Sequence, residues 1–253
     1  MPVIRAEGLV LKVHPLGDAD KIVTFLTREE GKIRGVAKSA RRSRRRFGSS
    51  LEPWSRVSLA FFEKEAAELG RVDACDLVES AYRLHENLET ACLLAYMAEV
   101  ADLFSRDRQP EPHFYRLLIS LLEALKEGVP WRTVQRYFEL WTLKLHGLLP
   151  DLSRCGGCEA TLSSQTLILD APSGSVLCRR CSGSRPATSV TLSREGRQAL
   201  ATMLRVHPSE LAGRDLSAGG LAQLGGLTSS LLASFVGAPF RSARFLGAEA
   251  EPA

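Results

Sequence analysis

Near Ser80 the apolar residues stop recurring at every second position and begin to recur about every 3.6, so the chain reads as a β-forming beginning followed by a helical remainder. In GLVLKVHPLGDAD, Leu9, Leu11 and Val13 alternate with Val10, Lys12 and His14, the period of a half-buried strand, and Pro15, Gly17 and Asp18 then supply turn chemistry. The β-rich run IVTFLT, Ile22 to Thr27, follows at once. After the REEG turn, KIRGVAK places Lys32, Arg34, Val36 and Lys38 on one strand face and Ile33, Gly35 and Ala37 on the other, so three cations share a side. Val57, Leu59 and Phe61 repeat the alternation, and a segment near Leu69 to Ala74 completes about five short strands in about 80 residues. That pattern suits a small barrel such as the OB-fold, which binds oligonucleotides across one strand face and its loops.

Beyond Ser80, Leu84, Leu88, Ala91, Cys92 and Ala95 fall on one helical face. Phe114, Leu117, Leu118, Leu121, Leu122 and Leu125 do the same, and so do Val134, Phe138, Trp141 and Leu145. Three helices are predicted, punctuated by Pro110, Pro112 and the GVP of Gly128 to Pro130. TLSREGRQALATML starts another, with Ser193 as its N-cap. Gly and Ala dominate from Gly213 to Gly226, Leu227 to Val236 reads as a last buried helix, and the acidic tail GAEAEPA reads as disordered.

Two Cys-x2-Cys pairs, Cys155 with Cys158 and Cys178 with Cys181, interrupt the helical region with nineteen residues between them. Each pair can form a tight knuckle, and two facing knuckles offer the closed four-sulfur shell that structural zinc prefers. Glycines at 156 and 157 let backbone amides turn toward sulfur, and QTLILDAPSGSVLC reads as a hairpin with strands at Leu167 to Leu169 and Val176 to Leu177. This is a zinc-ribbon layout holding one structural Zn²⁺, with no open position for a catalytic water. A redox thiol pair would be single and would open a helix in a βαβ context, and six cysteines in a chain this long make a poor disulfide framework. Cys75 and Cys92 read as buried small hydrophobes, and His113 and His146 as cap or surface residues.

The formal net charge of +4 is mild, but eight Lys or Arg and no Asp or Glu lie between Gly31 and Leu51. Arg41, Arg42, Arg44, Arg45 and Arg46 follow a basic strand and precede Phe47 and Trp54, which are candidate stacking platforms for single strands. A solvated charge run without a ligand is the competing explanation; its position on a barrel favours nucleic acid, bound through phosphates without sequence preference. Arg154, Arg179, Arg180 and Arg185 add positive charge to the cysteine module. Asp18, Asp20 and Glu29 read as turn residues rather than a Mg²⁺ site. No Walker loop, GxSxG elbow, HExxH helix or other catalytic constellation is present, so a non-enzyme is expected. The opening MPVIRAEGLVLKVHPLGDADK lacks the form of an export signal, and the apolar stretches are too short or interrupted for the roughly 20 residues a membrane span needs, so a membrane role is not expected.

Residues Gly17 to Trp54 carry G-x-x-D-K-I-V, G-K-x-x-x-x-A-K, the basic run and F-G-x-x-L-E-P-W, and this segment closely resembles the N-terminal signature of the bacterial RecO family of DNA repair proteins. CGGC and CRRC are similar to that family's zinc-bearing branch, and the likeness continues more loosely to about Arg244. The resemblance implies a recombination mediator without turnover in the bacterial cytoplasm, associated with the nucleoid. Such proteins bind single- and double-stranded DNA, anneal complementary strands, pair with RecR and help RecA replace the single-stranded-DNA-binding protein. It further implies DNA contacts at Lys38, Arg41, Arg42, Arg44, Arg45 and Arg46, with Lys21, Lys32 and Arg34 in support. It also implies a cation-edged apolar pocket for that protein's acidic tail, for which Arg116, Arg132 and Arg136 are candidates.

The expected fold is therefore multidomain α+β: an N-terminal OB-fold β-barrel, then an all-α domain interrupted by a four-Cys zinc ribbon. The expected divisions are 1–79 for the DNA-binding barrel, 80–148 and 187–246 for the two helical parts, 149–186 for the ribbon and 247–253 for the tail. The alternative function is a zinc-ribbon adaptor or an RNA-binding barrel without annealing activity.

Overall fold

The computed structural model describes residues 3–42, 44–62, 69–162, 166–170, 173–183 and 189–246, and the side chains of Arg44 and Arg45 are outside that description. The tail expected to be disordered, 247–253, also lies outside the described residues. The chain gathers into two compact units, one of Met1–Arg116 with the segment that begins at Ser242, the other Leu117–Arg241.

In the first unit, β1 (Val3–Leu16), β2 (Asp20–Thr27), β3 (Gly31–Ala37), β4 (Arg56–Phe62) and β5 (Gly70–Glu79) close into a barrel in the order β1-β2-β3-β5-β4. All pairings are antiparallel except β3 with β5, which run parallel and complete the closure. Closure leaves no sheet edge to pair with other chains, and this five-stranded arrangement is the expected OB-fold. Val23, Phe25, Ile33, Val57, Leu59, Phe61 and Val72 fill the interior, and the short helix α1 (Arg44–Phe47) adds Phe47 to it.

The alternation read along β1 is broken by a bulge between Val10 and Lys12. An extra residue in a strand resets which side chains share a face. Val10 accordingly enters the barrel core with Val13 packed against it, while Leu9 and Leu11 are fully buried on the other face. That outer face is covered by α2 (Leu88–Phe104), which packs on β1, so the middle of β1, Gly8–Leu11, is buried on both sides.

Helix α2 starts after Asn87, whose side chain accepts from the Thr90 amide at 3.0 Å. It turns Leu93, Leu94, Met97, Val100, Ala101 and Phe104 inward. The face expected from Leu84 onward is displaced, because Leu84 belongs to a separate 3-10 turn, Tyr82–His85, and helical spacing does not run across the break between them; Leu88 is 71% exposed. Gly31, at φ 67°, passes so close to the segment after α2 that a Cβ there would lie 2.2 Å from the Gln109 carbonyl oxygen.

The second unit contains α4 (Trp131–Leu145), whose Val134 and Phe138 are buried as expected while Leu145 is exposed, and the cysteine module. Preceding α4, α3 (Pro112–Lys126) buries the predicted Phe114, Leu117, Leu118, Leu121 and Leu122. The hairpin β6 (Leu167–Asp170) and β7 (Ser175–Leu177) forms where predicted, and β8 (Val190–Leu192), which was not predicted, adds a third strand beside β6. Ser193 occupies the N-cap of α6 (Arg194–Met203), although its hydroxyl caps nothing. The last helix, α7 (Ala218–Val236), begins nine residues before the apolar run that announced it. The helix approaches α4 closely there: a Cβ on Gly225 would meet the Arg136 guanidinium at 2.5 Å and displace it.

Candidate metal centre and nucleic-acid interface

The two cysteine knuckles face each other. The first is a turn after Cys155, and the second joins the end of β7 to the short helix α5 (Arg179–Ser182). All four sulfurs lie within 4.8 Å of one another. Backbone amides converge on them: Cys155 Sγ accepts from Cys178 N–H at 3.2 Å and Gly157 N–H at 3.4 Å, and Cys178 Sγ accepts from Cys181 N–H at 3.4 Å. The Cys178 amide, then those of Gly157 and Cys158, draw the Cys155 thiol down to about 6 against the effect of burial. The Cys178 thiol is lowered in the same way, chiefly by the Cys181 amide. Cys181 is pushed up to about 12, first by its hydrogen bond with Cys158. Four adjacent sulfurs cannot all ionise without a cation among them, and four soft donors at this spacing fit a tetrahedral metal ion. Cys75, by contrast, is a core thiol that burial raises to about 11.

The basic segment leaves β3 as a turn and passes into α1. Lys38 Nζ pairs with Asp20 Oδ2 at 2.6 Å, and Asp20 Oδ1 accepts from Ser39 N–H at 2.8 Å. The Lys38 hydrogen bond first, and the Ser39 amide next, hold the Asp20 carboxyl below the usual range. Arg41 donates its amide to Ala19 O at 2.9 Å and its guanidinium to Gly17 O at 2.5 Å. Arg42 is exposed, and its side chain makes no hydrogen bond among the described residues. Arg46 donates to the Asp73 carbonyl and carboxylate and lies 5.1 Å over the Phe47 ring. The segment is thus pinned to the barrel by Asp20 and Asp73, two partners that no charge count identified.

The other strand candidates divide. Lys21 is half-buried on β2. Lys32 and Arg34 share the outer face of β3, since Ile33 and Ala37 point into the core, whereas Lys38 lies in the turn just past the strand. Lys32 nevertheless is buried, with its ammonium 3.2 Å from Asp102 Oδ1 and 3.4 Å from Asp107 Oδ1. Lys12 donates to Asp102 Oδ2 at 2.8 Å, and Arg34, 44% exposed, reaches within 3.8 Å of Oδ1. Burial raises the Asp102 carboxyl, but the Lys12 hydrogen bond and the charges of Lys12 and Lys32 outweigh it and leave the group below its ordinary value.

The two aromatic residues read as stacking platforms are core residues. Phe47 is 4% exposed inside the barrel, and Trp54 is 1% exposed with its indole N–H donating to Leu94 O at 2.9 Å. Neither ring has a face open to a base. Their place beside the arginines reflects how the basic turn is anchored.

Arg116 bonds His113, Arg132 lies over the Trp131 ring, and Arg136 pairs at 2.7 Å with the buried Glu139. A cleft of about 440 Å³ opens elsewhere in the second unit, between the start of the cysteine module and α6. Leu149, Pro150, Leu152, Leu167, Leu200 and Leu204 line it, with Arg197 and Arg205 among them. Among the described residues no helix is long and apolar enough to cross a membrane.

Comparison with known proteins agrees over nearly the whole chain. The family model for the recombination protein O N terminal matches residues 1–81, and that for the recombination protein O C terminal matches residues 85–244. The chain is 36% identical over 209 residues to the DNA repair protein RecO of Koribacter versatilis (strain Ellin345), covering 83% of this chain and 84% of that one. It is 36% identical over 188 residues to the DNA repair protein RecO of Anaeromyxobacter sp. (strain K), covering 74% of each. With the DNA repair protein RecO of Geobacter metallireducens it shares 35% identity over 181 residues, 72% of this chain and 73% of that relative.

Proposed function

The chain belongs to the recombination protein O family, whose members act in DNA repair and recombination, and from that premise we propose that it is a non-enzymatic mediator that anneals complementary DNA strands. The observation that carries this reading is the basic turn pinned to an OB barrel, which presents arginines on a rigid mount. Phosphate neutralisation without base readout is what bringing any two complementary strands together requires. The proposed contacts are Arg41, Arg42, Arg44 and Arg45, with Lys21 and Arg34 at the margin. Lys32 and Arg46 serve as anchors. Four such contacts give a slope of about −3 for log K against log salt on single strands.

Zinc is the proposed metal, one ion held by Cys155, Cys158, Cys178 and Cys181, in a structural role because the shell leaves no ligand position open. Residues 1–79 are the proposed DNA-binding division, and 149–186 the ribbon between the helical parts 80–148 and 187–246. The proposed partners are single- and double-stranded DNA, RecR and the single-stranded-DNA-binding protein, which the mediator helps RecA to replace, in the bacterial cytoplasm at the nucleoid. The cleft beside α6, apolar with two cations, Arg197 and Arg205, against one acid, Asp151, fits the acidic, apolar tail of the single-strand-binding protein by net charge and hydrophobicity. Annealing of complementary oligonucleotides coated with that protein tests the reading. The intact chain is expected to accelerate annealing, and Arg42→Ala with Arg45→Ala to abolish most of the gain. No acceleration by the intact chain would overturn it in favour of an adaptor.

A further inference from the structure

Asp20, the acid of the G-x-x-D-K-I-V turn, directs both carboxylate oxygens at the start of the basic turn. Oδ2 holds Lys38 Nζ at 2.6 Å and Oδ1 holds Ser39 N–H at 2.8 Å. Ser39 sits at φ 60°, a region that a residue with a Cβ enters at some strain, so its conformation depends on such outside bonds. The Lys38 side chain is 57% exposed and that of Asp20 only 17%, so the ammonium stays open to solvent while the carboxylate under it is shielded.

We propose that Asp20 is an internal counter-ion for Lys38, a positioning residue that withholds this lysine from the phosphate-neutralising set while fixing the turn that carries Arg41 and Arg42. The inference rests on the basic-turn reading above. Binding of a cation to phosphate gains from the salt ions released from the nucleic acid. While Lys38 stays on Asp20 the pair is net neutral and displaces no ion from the nucleic acid, so Lys38 adds nothing to the salt dependence. An exposed pair alone would be weak; the second bond, to the Ser39 amide, fixes the carboxylate under the lysine.

Single-strand binding over a salt series tests this with Asp20→Asn, which retains an oxygen for the Ser39 amide and removes only the charge. Asp20→Asn is expected to steepen the slope of log K against log salt by about 0.7 and to bind roughly fivefold tighter at 0.1 M salt, the value of one added contact. Adding Lys38→Gln to Asp20→Asn should restore the wild-type slope, whereas Lys38→Gln alone should leave it unchanged. An unchanged slope in Asp20→Asn, or a loss of about 0.7 in Lys38→Gln alone, overturns the inference. Failure of the underlying reading looks different: the wild-type slope itself would be shallow, or would survive Arg41→Ala with Arg42→Ala.

Discussion

Lys32 Nζ lies 2.5 Å from the backbone carbonyl oxygen of Asp102 and 3.2 Å from the same residue's Oδ1, tying β3 to the last turn of α2. Carbonyls of a helix's last turn are its negative end, so an ammonium there is favoured twice, by the dipole and by the carboxylate. With Lys12 on Oδ2, one aspartate holds two lysines of the barrel's outer face. The face that strand periodicity offers to DNA is, at this end, a joint within the unit.

Lys32→Ala is expected to destabilise the protein by about 3 kcal/mol, near the lower end for breaking a buried pair, since Lys12 still partners Asp102. Urea unfolding measures it. The salt dependence of DNA binding should not change in the folded variant; a slope shallower by about 0.7 would place Lys32 on a phosphate instead.

The same joint sets an acid limit. The Asp102 carboxyl is held below its ordinary value in the folded chain, so the stability it contributes is full above about pH 4 and is lost as pH falls through its folded value. Asp102→Asn should be less stable than wild type at pH 7, and the gap should narrow on acidification toward pH 3. A gap independent of pH would show that the charge of Asp102 contributes nothing.

Trp54 is buried with its N–H on the Leu94 carbonyl, so Trp54→Ala should cost about 3–5 kcal/mol and Trp54→Phe about 1 kcal/mol for the lost hydrogen bond. Neither should alter the affinity of the folded protein for single strands. Weakened binding by a fully folded Trp54→Phe would restore the stacking role.

Local patterns made much of this legible. The Cys-x2-Cys spacing located a cluster whose sulfurs meet within 4.8 Å, and the alternation in KIRGVAK assigned each β3 side chain to its side of the barrel. What stayed hidden was long-range or irregular. The bulge at Val10 and Lys12 shifts a period that a strand reading holds constant. Asp102 lies 70 residues from Lys32, and no local rule pairs them. Trp54 and Phe47 look like ligand-facing aromatics beside arginines until the core that receives them is known. The glycines of α7 face close neighbours, Gly219 and Gly220 against Glu195 and Gly225 against Arg136, a demand set by packing.

The cleft beside α6 makes a charge-specific prediction. An acidic, apolar peptide of the single-strand-binding protein's tail type should bind about tenfold more weakly to Arg205→Glu, a change of about 1.4 kcal/mol. Isothermal titration measures this, and equal affinity would assign the cleft another occupant or none.

The cysteine module makes the strongest claim about folding. Its hairpin strands are four and three residues long and gain only the three-residue β8 beside them, so a bound metal is expected to contribute strongly to folding of the module. Apparent binding energies of structural zinc, on the order of 10–16 kcal/mol in small fingers, are large beside the stability of a domain. Cys178→Ser removes a thiolate donor but keeps a hydroxyl that can accept from the Cys181 amide in the sulfur's place, so it tests the metal shell apart from the local cap. Elemental analysis is expected to give one zinc per wild-type chain and none for Cys178→Ser. Chelation should expose Leu167–Asp170 to hydrogen exchange while leaving the barrel strands protected. Zinc retained by Cys178→Ser would overturn the four-sulfur shell, and protection of β6 that survives chelation would show that the ribbon folds without its metal.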